Sequence, residues 1–479
     1  MSAKIVIIGA GSAGIAAATR LYQRGLKNVQ ILEATDRIGG RVHTVPFGEN
    51  VIDKGAQWCH GEKQNVVFEL ASPLGLLESS IIGGNNLLIQ SNGEIVNQAL
   101  SDRLMQMAGE IAESEELETY GGTFGDFVTE RFMKAVNEEK NKDIDRELVQ
   151  QFLVSYHNYQ KGYNAIDSWY EYSVNDDAED CEGNQTLSWM GKGYQSVLDL
   201  LLGRHPSQNG DLIPIEEKIV FNKFVKNIHW NRGPDYPVTI YCQDGSQYDA
   251  DHVILTMSLG VLKENLQTMF TPQLPSIKRN AITGIYFGTV NKIIMEFKVP
   301  FWAEVGNTFS LLWGQDELES LRASKYAWTE GVSAFFKIDR QPKLLAAWMM
   351  GKECRQAELL SGQDIIDGLL FLLRKFFKEK QIDPPIKMIR SQWFSDRNFR
   401  GSYSSRSIKT DLLQTGCNDL AIPLTDCFGK PVLLFAGEAT NSKHYGTVHG
   451  AIETGWREAN RLIDLYEKQQ KKVETVQTT

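Results

Sequence analysis

Long apolar runs are missing from this 479-residue chain; none approaches the ~18 consecutive apolar residues that a membrane-spanning helix needs. Positive charge is short. Against 60 Asp and Glu stand 50 Lys and Arg, a formal net charge of −10. So acidic a surface repels phosphate backbones and attracts cations, so no nucleic-acid partner is expected. Cysteine is sparse: Cys59, Cys181, Cys242, Cys354, Cys417 and Cys427 show no Cys-x-x-Cys spacing and no metal-ligand pattern. No metal is therefore expected, and the thiols read as free in a reducing compartment. No signal peptide precedes the apolar segment that follows Lys4, and the polar stretch Tyr466–Thr479 lacks a Ser-Lys-Leu-type ending. The expectation is a cytoplasmic protein with no membrane association and no obligate protein partner. Proline, at 14 residues against 41 glycines, is too rare for a proline-rich linker chain, and some of the glycines read as functional turns. A hydrophobic fraction of 42% leaves ample core material, and the length suggests roughly two or three domains.

The first 40 residues carry the clearest pattern. Lys4-Ile5-Val6-Ile7-Ile8 is an almost wholly apolar run, as expected of a strand buried on both faces of a parallel sheet. Gly9-Ala10-Gly11-Ser12-Ala13-Gly14 follows, then a helix-forming stretch from Ile15 to Arg24 that stops at Gly25. A second strand, Val29–Leu32, leads into Glu33, 19 residues beyond Gly14. A bare GxGxxG is weak evidence, but between strand and helix, with an acidic residue at this distance, it predicts a dinucleotide-binding unit. Gly9 allows the tight turn, Gly11 lets the backbone approach a pyrophosphate, and Gly14 permits close helix–strand packing. The helix N-terminus offers free N–H groups and a positive dipole end to phosphate, and Glu33 can accept bonds from ribose hydroxyls.

Further on, residues 100–150 have helical composition, and Val238–Cys242, Asp244-Gly245 and Gln247–Asp251 spell a hairpin leading into the strand Val253–Thr256. Val290–Phe297 has strand composition, and Asp364–Lys378 reads as a well-buried helix. Val432–Ala436 is a second buried strand; a helix is expected near Thr447-Val448, with apolar residues at 452, 456, 459, 463 and 466 on one face. Nucleotide-fold strands at both ends imply a mixed α/β protein. A discontinuous Rossmann-like dinucleotide-binding domain (1–75, 195–285 and 400–479) would interleave with a mixed-sheet-plus-helices substrate domain (76–194 and 286–399). The acidic clusters Glu113–Glu118, Asn137–Glu147 and Asn175–Glu182 read as solvated faces and loops, with attraction of a cationic substrate as the alternative.

Collinear segments then resemble the flavin amine oxidases. They are Ile31–Arg41, Gly55-Ala56-Gln57-Trp58-Cys59-His60-Gly61, Asn291-Lys292, Trp393 with Arg400–Ser404, Phe435–Thr440 and Thr447-Val448-His449-Gly450-Ala451. Within that family the chain is most similar to the animal polyamine oxidases. The resemblance implies FAD contacts from Gly9, Gly11, Ser12, Ala13, Gly14, Glu33, Ala34, Gly40 and Arg41. It adds Gly55, Ala56, Gln57, Trp58, Val225, Trp393, Gly437, Glu438, Thr447 and Val448. Arg41 would grip the pyrophosphate, and the helix start at Thr447-Val448 would face the flavin pyrimidine edge and stabilise its reduced anion. Asn441–Thr447 contains no cysteine, so FAD is expected to be non-covalent.

For chemistry the resemblance implies Lys292, in contact with flavin N5 through a water, and His60 beside the substrate amine. Lys292 also stands out on its own, since it shares a strand face with Val290 and Ile294, where apolar residues otherwise go. A buried ammonium loses its proton readily and can relay protons. Substrate contacts are implied for Trp58, His60, Tyr403, Tyr445 and Thr447; His449 reads as packing under the flavin, and most tryptophans read as core. Two departures bear on specificity. Gln57 and Cys59 differ from vertebrate relatives, and Gln160 stands where those relatives carry an acid, which favours a substrate with a neutral acetylamide end.

The expected reaction is oxidation of a secondary-amine C–N bond in a polyamine such as N1-acetylspermine, N1-acetylspermidine or spermine, with oxygen as acceptor and hydrogen peroxide as product. Three alternatives remain. A lysine-specific histone demethylase shares the core but needs extra helical insertions, an L-amino-acid oxidase needs an arginine for the substrate carboxylate, and a dead flavoprotein would serve only as a binding module.

Overall fold

Ile5–Ile8 is buried at every position because it lies inside a parallel sheet, between Val29–Leu32 on one side and His252–Leu255 on the other. The computed structural model describes residues 3–84, 86–205, 213–231, 237–302, 305–377 and 381–478. Pro431–Phe435 continues the sheet in parallel beyond His252–Leu255, Ile219–Val220 beyond Val29–Leu32, and Leu424–Thr425 closes one edge antiparallel. The helix Ser12–Gln23 leaves the end of the first strand with Gly11 as its N-terminal cap and ends before Gly25 at φ +88°. The long final helix, Val448–Thr478, crosses it so closely that a Cβ on Gly455 would lie 2.2 Å from the Ala13 carbonyl oxygen. Its buried face includes Ile452, Ala459 and Ile463, as the spacing required, and also Leu462, whereas Trp456 and Tyr466 are only half-buried.

A second six-stranded sheet runs Lys387–Arg390, Val290–Glu296, Gln341–Met350, Val332–Ile338, Thr308–Leu312 and Asn86–Gln90. It is antiparallel except for its last, parallel pair. Gly362–Phe376 buries Ile365, Leu369, Leu372, Leu373 and Phe376 in the core beside it; the end expected for this helix, Lys378, lies outside the described residues. The helices Gln98–Ala112, Phe124–Val136 and Arg146–Tyr163 form a further core around Phe127, Phe132 and Phe152. The Asp244-Gly245 hairpin forms as written, with Gly245 at φ +86° and Val238–Cys242 antiparallel to Gln247–Ala250. Strands of the first sheet come from segments near residues 5, 30, 220, 253 and 433, and the chain visits the second sheet between those passages. No helix among the described residues is long and apolar enough to cross a membrane.

Candidate functional site

A cavity of about 1060 Å³ lies between the two sheets. It is lined by every candidate residue named above as a cofactor, catalytic or substrate contact except Gly14. Gly14 sits behind the lining: a Cβ there would come within 2.0 Å of the Gly9 carbonyl oxygen, so its role is to let helix meet strand.

The dinucleotide end fits the expected group. Gly9 stands at φ +108°, where other residues are strained. A Cβ on Gly11 would meet only the Gly39 carbonyl oxygen, at 3.9 Å, so the space beside it belongs to the cavity. The first turn of the helix at Ser12 carries no side-chain cap and is a ready anion site. Glu33 does two jobs. Its Oε2 accepts from the Ala10 N–H at 2.7 Å and its Oε1 from the Thr35 N–H at 2.8 Å, so it staples the glycine loop before it meets any ribose.

Arg41 and Glu438 form a clamp across the cavity. Arg41 Nη1 donates to Glu438 Oε1 at 2.8 Å and to the Ser402 carbonyl at 2.7 Å. Glu438 Oε2 accepts from the Ser404 N–H and hydroxyl and from the Gly446 N–H at 2.8 Å. The buried Glu438 carboxylate is thus occupied by protein donors, which fix three loops relative to one another. Thr447 caps the final helix, its Oγ1 accepting from the Gly450 N–H at 2.9 Å, which leaves the helix start facing the cavity.

Lys292 points into the cavity from the strand Val290–Glu296, opposite Trp348 on the neighbouring strand. Its Nζ donates to Gln57 Oε1 at 2.8 Å and lies 6.0 Å from the Trp58 ring centre. Burial lowers its pKa to about 8, against the pull of the Asp53 charge. Burial likewise pushes the Asp53 carboxyl up to about 6, although Lys292, Thr44 and the Tyr194 N–H favour its ionised form. Gln57, one of the departures, thus meets the amine with a neutral amide oxygen rather than a carboxylate.

His60 opens onto the cavity but is surrounded by protein, and this burial lowers its pKa. Its Nδ1 lies 2.6 Å from the Gln185 carbonyl oxygen, an acceptor only, so Nδ1 carries the hydrogen and Nε2 keeps a lone pair. The aromatic walls are Tyr403, whose hydroxyl donates to the Gly162 carbonyl, and Tyr445, whose hydroxyl donates to Asp176 Oδ2 at 2.6 Å.

The pattern did not disclose several lining residues. Of the tryptophans read as core, Trp348 is only partly buried and lines the cavity 5.5 Å from Trp58. Tyr159 and Tyr163 line it too, and Tyr163 donates to Asp180 at 2.9 Å. Of the acidic clusters, Glu113, Glu115, Glu118, Asp176, Glu179 and Asp180 line the cavity while most of them stay exposed, and Asn137–Glu147 contributes none to it. Gln160, the apparent loss of an acid, is buried in the wall with its amide donating to the Tyr156 hydroxyl and accepting from Asn164. The carboxylates here come instead from residues 113–118 and 176–180. Finally, Cys181, His444 and His449, which no spacing joins, come together with their ligating atoms within 4.8 Å of one another.

A glycine-turn nucleotide site and a buried, readily deprotonated lysine opening onto one cavity are the parts of a flavin-dependent amine-oxidising enzyme. The chain belongs to the flavin containing amine oxidoreductase family, which it matches over residues 12–463; it is an oxidoreductase that uses FAD. It is 31% identical to the human peroxisomal N(1)-acetyl-spermine/spermidine oxidase, over 97% of this chain and 96% of the relative. Polyamine oxidase 1 of Zea mays is 25% identical over 97% and 91%. The fold is also that of a redesigned putrescine oxidase, at a TM-score of 0.67 and 20% identity, covering 96% of this chain and 99% of that one.

Proposed function

We propose that this enzyme oxidises a secondary-amine C–N bond of a polyamine that keeps at least one free terminal ammonium, such as N1-acetylspermine, N1-acetylspermidine or spermine. The observation that carries this reading is the placement of six carboxylates around a cavity whose inner end holds Lys292 between aromatic rings. In the overall change the secondary amine, one oxygen and one water give an aldehyde, a shorter primary amine and one hydrogen peroxide. The bond broken is that between nitrogen and the oxidised carbon, which takes its aldehyde oxygen from the water. FAD, when bound, supplies the two-electron acceptor for the hydride from the carbon beside nitrogen and the route for those electrons to oxygen.

The chain's residues do the rest. Trp58, Tyr403, Tyr445 and Trp348 confine the aliphatic chain, and Thr447-Val448 present a helix start to the flavin ring. His60 Nε2 accepts from the reacting amine's N–H and, being neutral, tolerates a neutral amine beside it. Lys292 relays the proton released at that centre. Glu33 and the Ser12 helix end hold the adenosine and phosphate ends, while the Arg41–Glu438 clamp fixes the loops around the flavin. The cofactor is held non-covalently, and residues 1–75, 195–285 and 400–479 form its domain.

The distal ammonium meets mostly exposed carboxylates screened by solvent, so no single one dominates its binding. A Glu115→Gln/Glu118→Gln/Asp180→Asn variant should raise the KM for spermine by about 3- to 100-fold, with kcat nearly unchanged and a weaker dependence on salt. Steady-state peroxide assays with spermine, N1-acetylspermine and N1,N12-diacetylspermine test the reading. The diacetylated compound should be the poorest substrate; equal kcat/KM for all three would remove the acidic rim from recognition.

A further inference from the structure

We propose that Cys181, His444 and His449 form a metal site for Zn2+ at the cavity wall, with the thiolate and both imidazole Nε2 atoms as ligands. Cys181 Sγ lies 3.7 Å from His449 Nε2 and 3.9 Å from His444 Nε2. In a tetrahedral zinc site, bonds of ~2.3 Å to sulfur and ~2.0–2.1 Å to nitrogen put such atoms about 3.5 Å apart. The sulfur–nitrogen edges are a few tenths of an ångström too open, and with all three ligand atoms within 4.8 Å of one another the two imidazoles must turn toward each other to close on an ion.

The surroundings are those of a prepared imidazole ligand. His444 Nδ1 is 2.9 Å from Glu453 Oε2, and that same oxygen accepts from Asn441 Nδ2 at 2.7 Å. A carboxylate behind the far ring nitrogen fixes the tautomer that leaves Nε2 a lone pair, and it raises the ring's strength as a donor. The two imidazole rings meet at 63° with centres 4.8 Å apart. Cys181 and His449 are buried and His444 is half-buried, yet all three line the cavity, so a fourth position remains open to a water or an amine. One thiolate with two imidazoles is a borderline-soft donor set that suits Zn2+ and excludes Ca2+ and Mg2+ as preferred occupants.

Binding is an exchange without redox change: Zn2+ replaces the thiol hydrogen of Cys181, now directed at the Gln64 carbonyl 3.4 Å away, and that proton leaves to solvent. The ion then sits on the loop that carries Glu179 and Asp180, where the function proposed above puts a polyamine's distal end. Occupancy should therefore raise the KM for a polyamine.

The test uses FAD-loaded protein incubated with excess Zn2+, then passed through gel filtration and assayed for metal by atomic emission. Wild type should retain one zinc per chain, Cys181→Ser none, and Glu453→Gln should bind about 10- to 100-fold more weakly. Co2+ in place of Zn2+ should give tetrahedral d–d bands in the red, clear of oxidised flavin, in wild type but not in Cys181→Ser. Flavin absorbance and thermal melts show that the variants are folded. Should Cys181→Ser fail to fold, the weakening in Glu453→Gln and the cobalt bands of wild type decide the matter. Wild type without retained zinc, or Cys181→Ser retaining as much, would overturn the proposal.

Discussion

Lys292→Met should slow turnover by ~10²- to 10⁴-fold while the protein stays yellow, the span that a positioned proton-transfer group contributes. Methionine keeps the length and apolar body of the side chain, so the strand Val290–Glu296 and its pairing with Trp348 have no reason to shift. What disappears is the titratable amine at this point of the cavity, together with its bond to Gln57. The pH dependence adds a second signature. With the Lys292 pKa lowered to about 8, the side chain is an ammonium below that pH and cannot accept a proton. The kcat of wild type should therefore rise with pH through about 8 and level off above it. That limb should vanish in Lys292→Met, leaving in kcat/KM only the limb from the substrate amine. Stopped-flow flavin reduction across pH 6–10 measures both; an unaltered reductive rate in the variant would take Lys292 out of the mechanism.

Two glycine substitutions should separate folding from cofactor binding. At Gly55, an added Cβ would lie 1.8 Å from the Arg41 carbonyl oxygen, backbone that no rotamer change can move aside. The same carbonyl accepts the Ala56 N–H, so relief of the clash also breaks that bond and displaces two segments of the cavity wall at once. Overpacking typically costs about 1–3 kcal/mol, and a backbone clash belongs at the upper end or beyond. Gly55→Ala should lose both stability and FAD, with affinity reduced by about 100-fold or more, since 1.4 kcal/mol is tenfold. Gly11 differs. Its added Cβ meets no atom closer than 3.9 Å, and its φ of −74° suits any residue. Gly11→Ala should melt within a few degrees of the wild-type apoprotein yet bind FAD far more weakly, because the methyl takes space the phosphates need. Apoprotein melts and flavin titration check both; full FAD occupancy in Gly11→Ala would place the cofactor elsewhere.

The parts legible in sequence were those with local causes. The strand–glycine turn–helix at residues 5–24, the acid at the end of the next strand, the Asp244-Gly245 hairpin and the apolar face of the last helix each follow from neighbours along the chain. Lys292 was legible chiefly through the family resemblance; a charge on an otherwise apolar strand face would by itself fit a lysine that reaches solvent equally well. Trp348 was not, since its place opposite Lys292 depends on the register of two strands some 50 residues apart, and nothing in its own segment marks it. The acidic residues 113–118 and 176–180 looked like ordinary solvated surface, because only the folding of a helix end and a loop against one cavity gives them a common target. Cys181, His444 and His449 are the extreme case. Their ligand atoms meet only after a loop before the second nucleotide segment is laid on the final helix, so no cysteine–histidine spacing could reveal them. Glu438 shows the converse limit, for the motif marks it as a cofactor contact but says nothing of the protein donors that its carboxylate also accepts from.

Anaerobic mixing of the purified yellow protein with single substrates tests polyamine oxidation through bound FAD without the intervening steps of turnover. Spermine or its N1-acetyl derivative should bleach the flavin within one turnover, and admitted oxygen should restore the colour with one peroxide per flavin. Leucine and a methyl-lysine peptide should leave the spectrum unchanged. A flavin that no polyamine bleaches, or that only leucine or the peptide reduces, would contradict the account.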